Sequence, residues 1–85
     1  MDIFEGSDFG RSVEVFKTDV ENREYAKQLL DRIHGAFAGY RANFDLEDCD
    51  RILRVECATG AVQSAHLIRI LEDSGFHAEV LTDDL

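Results

Sequence analysis

Residues 40–58 run Tyr-Arg-Ala-Asn-Phe-Asp-Leu-Glu-Asp-Cys-Asp-Arg-Ile-Leu-Arg-Val-Glu-Cys-Ala. Two alternating stretches flank a polar centre. In the first, Tyr40, Ala42, Phe44 and Leu46 fall on one face and Arg41, Asn43 and Asp45 on the other. In the second, Leu53, Val55 and Cys57 oppose Arg54 and Glu56. A period of two in segments rich in β-branched and aromatic residues predicts strands. Glu47 to Arg51, all polar but for one cysteine, predicts the hairpin connection between them.

The flanks repeat one pattern on either side. Upstream, Ser12 to Lys17 alternates and reads as a strand, with Val13 and Val15 expected toward the core and Glu14 and Phe16 on the opposite face. Thr18-Asp19-Val20-Glu21 fits a capping box. Ala26, Leu29, Leu30, Ile33 and Phe37 then recur at helical spacing, opposite Arg23, Lys27, Gln28 and Asp31. That helix should fade near Gly35, with Gly39 supplying the turn. Downstream, Thr59 or Gly60 is expected to cap a second helix with an apolar stripe of Val62, Ala65, Leu67, Ile68 and Leu71. Gly75 stands where a left-handed C-terminal cap is expected. Phe76 to Leu81 reads as a last strand, with Ala78 and Val80 inward.

Strand, helix, strand, strand, helix, strand is two right-handed crossovers sharing a central hairpin. The expected fold is α+β: a ferredoxin-like βαββαβ unit, its four-stranded antiparallel sheet covered on one face by both helices. Residues 12–82 form the expected domain, behind an N-terminal tail at 1–11 containing Phe4 and Phe9 and ahead of an acidic end at 83–85.

Composition narrows the function classes. Eighteen Asp and Glu against nine Lys and Arg give a net charge of −9 on 85 residues. Such a body repels phosphate backbones and anionic membrane surfaces, so neither nucleic acid nor membrane is an expected partner. No apolar run approaches the ~20 residues that span a bilayer, and no signal peptide is visible at the N-terminus. The two cysteines, Cys49 and Cys57, fall at a turn and far along the next strand, too distant for a disulfide. Reduced thiols fit a cytoplasmic location.

Leu67-Ile-Arg-Ile-Leu-Glu-Asp-Ser-Gly-Phe-His-Ala-Glu-Val-Leu81, a helix ending in Gly-aromatic and running into a short strand, is similar to the second helix and last strand of the heavy-metal-associated family. This is the family of copper chaperones and the N-terminal domains of copper-transporting ATPases. Phe37-Ala-Gly-Tyr40 resembles that family's link from first helix to second strand. The resemblance covers Val13 to Leu81 and implies the same scaffold. The family also places a Cys-x-x-Cys pair in the loop entering the first helix, where two thiolates hold Cu(I). Aligned on the helix stripes, Asp19 and Asn22 stand there in this chain. These are hard oxygen donors, unsuited to a soft two-thiolate site.

The candidate sites follow. Asp19 with Asn22, or Asp48, Cys49 and Asp50 in the hairpin, are the candidate ligands for a divalent ion. Plain helix capping and a solvated turn account for the same residues. A thiol ringed by carboxylates is a poor nucleophile. His34, His66 and His77 have no zinc-site spacing. Neither a glycine-rich phosphate loop nor a catalytic Ser/His/Asp arrangement is present. The expectation is therefore a non-enzymatic module without a cofactor. It would bind a protein partner or a second copy through a sheet edge or the uncovered face, where Phe16, Asn43, Asp45, Arg54 and His77 are expected. The alternatives are a metal-binding protein with altered ligands and a small-ligand sensor.

Overall fold

The computed structural model describes residues 12–58 and 60–81. The expected tail at 1–11, the acidic end at 83–85 and the candidate cap Thr59 lie outside the described residues. Six elements follow one another: β1 (Ser12–Thr18), α1 (Arg23–Ala36), β2 (Tyr40–Asp45), β3 (Ile52–Cys57), α2 (Ser64–Asp73) and β4 (Ala78–Val80). The strands form one four-stranded sheet in the order β2-β3-β1-β4, and every neighbouring pair is antiparallel. This is the α+β arrangement that the alternating runs predict.

Both helices lie on the same side of the sheet. Ala26, Leu29 and Ile33 from α1 and Leu67 and Leu71 from α2 join Phe16, Leu53, Val55, Tyr40, Ala42 and Ala78 in a single buried cluster. Burying a large apolar side chain contributes about 1.5–3 kcal/mol, so this layer is the fold's main source of stability.

The first strand corrects the sequence reading. Phe16, expected on the uncovered face, is fully buried. It pairs with Leu53 on one side and Val80 on the other. Val13 and Val15 face away from the helices, with Val13 40% exposed. The strand carries apolar residues at both parities, so alternation alone leaves its facing open, and a one-residue change of phase reverses every side chain. The larger apolar area of phenylalanine decides it. Phe16 therefore contributes to the core and to no interaction surface.

The entrance to α1 is also different. Thr18 ends β1 rather than capping the helix. Its buried hydroxyl donates to Arg51 O at 2.6 Å and accepts from Val20 N at 3.2 Å, which satisfies a polar group the core would otherwise strand. The cap is Asn22, in extended conformation, whose Oδ1 accepts from Glu24 N at 2.7 Å and Tyr25 N at 3.3 Å. Between them Val20 is fully buried.

The second helix starts later than its stripe suggests, at Ser64, because the segment before it is tied down by side-chain hydrogen bonds. Ser12 Oγ donates to Gly60 O and accepts from Val62 N, both at 3.0 Å. Tyr40 Oη donates to Ala61 O at 3.2 Å and accepts from Gln63 N at 2.7 Å. At the far end Gly75 has φ +92°, the left-handed turn expected there, and Phe76 N bonds back to Leu71 O. The last strand is shorter than expected, Ala78–Val80. Leu81 N still donates to Val15 O at 2.8 Å.

Candidate functional site

Three surfaces hold chemistry-bearing residues. The first is the β2–β3 turn. Here one ligand atom from each of Asp48, Cys49 and Asp50 lies within 4.8 Å of the others. Local geometry explains the cluster: Asp48 Oδ1 accepts the Asp50 amide at 2.9 Å, an Asx turn. Arg51 closes the turn in the left-handed region, φ 46°. Its Nη1 donates to Asp48 O at 3.1 Å and Cys49 O at 3.5 Å. Lys17 Nζ stands 3.8 Å from Asp50 Oδ1. Lys17 therefore neutralises part of the acidic tip, Arg51 binds its backbone carbonyls, and Cys49 is exposed. Cys57 is buried and neither cysteine forms a disulfide, as their spacing predicts.

The other proposed ligand pair is engaged in the fold. Asp19 Oδ1 accepts from His77 N at 2.8 Å, tying the loop before α1 to the start of β4. Asn22 Oδ1 is the α1 cap. The loop and the β2–β3 turn meet at one end of the sheet, where Arg51 Nη2 lies 3.8 Å from Glu21 Oε2 and Thr18 N donates to Asp50 O. Asp19 and Asn22 thus serve backbone amides, while Asp48, Cys49 and Asp50 converge.

The second surface is the sheet face away from the helices. Cross-strand register places Arg41, Glu56 and Val13 in one row, Asn43, Arg54 and Val15 in the next, and Asp45 beside Ile52. Lys17 pairs with Glu79 at the β4 side, and His77 Nε2 is 3.5 Å from Glu79 Oε1. Of the residues expected here, Asn43, Asp45, Arg54 and His77 are exposed on it. What the sequence reading missed is apolar: Val13, Val15, half-buried Ile52 and 42% exposed Leu81 lie among these charges. Apolar residues at both parities of β1 left no local signal for it.

The third surface is the β2 edge. In an antiparallel ladder the residues alternate between bonding to one neighbour and to the other. Ala42 N turns away from β3 and donates to His34 Nε2 of α1 at 3.2 Å. The outward-bonding residues of β2 are therefore Tyr40, whose N–H goes to Phe37 O, Ala42 and Phe44, and Arg41, Asn43 and Asp45 bond to β3. His34, in the last turn of α1, thus covers one edge amide. Beside this edge an open cleft of about 320 Å³ separates β2 from α1, with Lys27, Leu30, Phe44 and Leu46 on its walls.

Among the described residues no helix is long and apolar enough to cross a membrane. Comparison with protein-family models, with curated proteins and with solved structures finds no match to the chain.

Proposed function

We propose that this chain is a non-enzymatic protein-interaction module: a scaffold of the heavy-metal-associated type without the paired thiols, working in a reducing compartment such as the cytoplasm and needing no cofactor. The observation that carries this reading is the edge of β2, which among the described residues has no further strand beside it. A six-residue strand offers outward backbone groups at Ala42 and Phe44, beside a cleft with partly apolar walls. Edge strands of this kind recruit a further strand through main-chain hydrogen bonds, with side chains giving selectivity. The acidic surface disfavours nucleic acid and anionic lipid as the partner.

A second reading rests on the converging ligand atoms of Asp48, Cys49 and Asp50. These mix hard and soft donors, which favours no single metal strongly, and Lys17 competes with a cation for the Asp50 carboxylate. A backbone-amide NMR titration with Zn(II), then Cu(I), under reducing conditions and against a chelator separates the two. The interaction-module reading expects no chelator-resistant shifts. Shifts concentrated at residues 48–51 or 18–23 that survive the chelator would replace it with a metal-binding function.

A further inference from the structure

We propose that the strand β2 recognises is β2 of a second copy, paired antiparallel about Asn43, and that His34 limits this pairing by occupying the Ala42 amide. The inference rests on the interaction-module reading and adds the partner, the register and the restraint.

The register follows from backbone geometry and charge. Tyr40, Ala42 and Phe44 bond outward, but the Tyr40 amide is already taken by Phe37 O, so Ala42 and Phe44 are the residues that can exchange both main-chain bonds with a second β2. In the register centred on Asn43, Ala42 faces the partner's Phe44 and Phe44 faces the partner's Ala42, four main-chain bonds in all. Arg41 then stands opposite the partner's Asp45, and Asp45 opposite the partner's Arg41. These are non-hydrogen-bonded pairs, in which Cα atoms approach to about 4.5 Å and side chains lie closest. Opposite charges there are favourable and like charges are not. Asp45 Oδ1 accepts from Glu47 N at 3.2 Å, which leaves Oδ2 toward the guanidinium. On the helix side the small Ala42 meets the large, half-buried Phe44, so the pairing also covers apolar surface beside the cleft. Shifting the centre to Ala42 or Phe44 sets Arg41 or Asp45 against Asn43 and loses both charge pairs.

The opposite edge lacks these properties. β4 has three residues centred on Glu79, and pairing it with itself would set two carboxylates face to face.

Two features keep the association weak. Each copy carries a charge of −9, a repulsion that salt screens over about 10 Å at 0.1 M. His34 Nε2 also holds Ala42 N–H, so pairing must first break that bond in both copies. His34 is exposed, and its replacement removes the competitor without touching the core.

The test is sedimentation of the full chain up to about 1 mM, a concentration that detects even millimolar association, in about 0.3 M salt to screen the net charge. The comparison set is wild type, H34A, R41D, D45R, the double variant R41D/D45R, and an equimolar mixture of the two single charge variants. Circular dichroism verifies that each is folded. The proposal expects weak wild-type dimers, H34A tighter by about tenfold because two edge amides are released, and monomers for R41D and D45R alone. Association returns in the double variant and in the mixture, where every pair is again of opposite charge. Monomeric wild type and H34A throughout, or dimers indifferent to the charge variants, overturn it. That result leaves the interaction-module reading standing, since it fails separately, on chelator-resistant metal binding.

Discussion

The hydroxyl oxygen of Tyr40, at the start of β2, accepts the Gln63 amide hydrogen at 2.7 Å and donates to Ala61 O at 3.2 Å. One side chain thus fixes the chain before α2, where Gln63 caps the helix with no side-chain bond of its own. The ring is stacked on Phe37, with centroids 4.4 Å apart. Replacing Tyr40 by Phe keeps the stacking and strands a partly buried amide and carbonyl. The expected cost is about 1–2 kcal/mol, read as a lower urea midpoint with an unchanged slope.

The facing of β1 predicts an ordering of two truncations. Phe16→Ala removes a fully buried ring and should destabilise by about 3–5 kcal/mol. Val13→Ala, at a position 40% exposed, should cost less than about 1 kcal/mol. Urea unfolding of both variants checks this, and the reverse order would mean that Val13 and Val15 form the core face.

At the start of α1, Asn22→Ala deletes the cap on Glu24 N and Tyr25 N and should cost about 1 kcal/mol. Glu21→Ala should change stability by less than about 0.5 kcal/mol, because its carboxylate makes only an exposed ion pair with Arg51 at 3.8 Å. A capping box at Thr18–Glu21 would predict the larger loss at Glu21.

The thiols should be kinetically distinct. In native protein a chromogenic aromatic disulfide should modify exposed Cys49 well ahead of buried Cys57, which reacts only at the rate at which the domain opens. In concentrated urea both should react together. Two fast thiols in the native state would contradict the burial of Cys57.

Element order was legible because four segments carry a period of two and two carry a helical stripe; these signals are local. The inward sets Leu53, Val55 and Cys57 and Ala26, Leu29 and Ile33 follow directly from them. Phe16 was not legible, since β1 offers apolar residues on both faces and only packing chooses between them. Thr18 and Asn22 are both good caps, and the choice depends on Arg51 O, a partner 33 residues away. The Asp48–Asp50 cluster was visible from adjacency. The His34–Ala42 bond was not: it joins a helix end to a strand eight residues later, through a turn whose path sequence periodicity does not specify.

The most direct test of the edge-pairing account is the concentration dependence of wild-type backbone-amide chemical shifts, recorded in dilute solution and near 1 mM. The account predicts that the shifts that move cluster on Arg41 to Leu46 and on His34, with Ala42 and Phe44 moving most. Movement centred on Val13, Val15 and Leu81 of the face away from the helices, or on the Asp48–Arg51 turn, would contradict it.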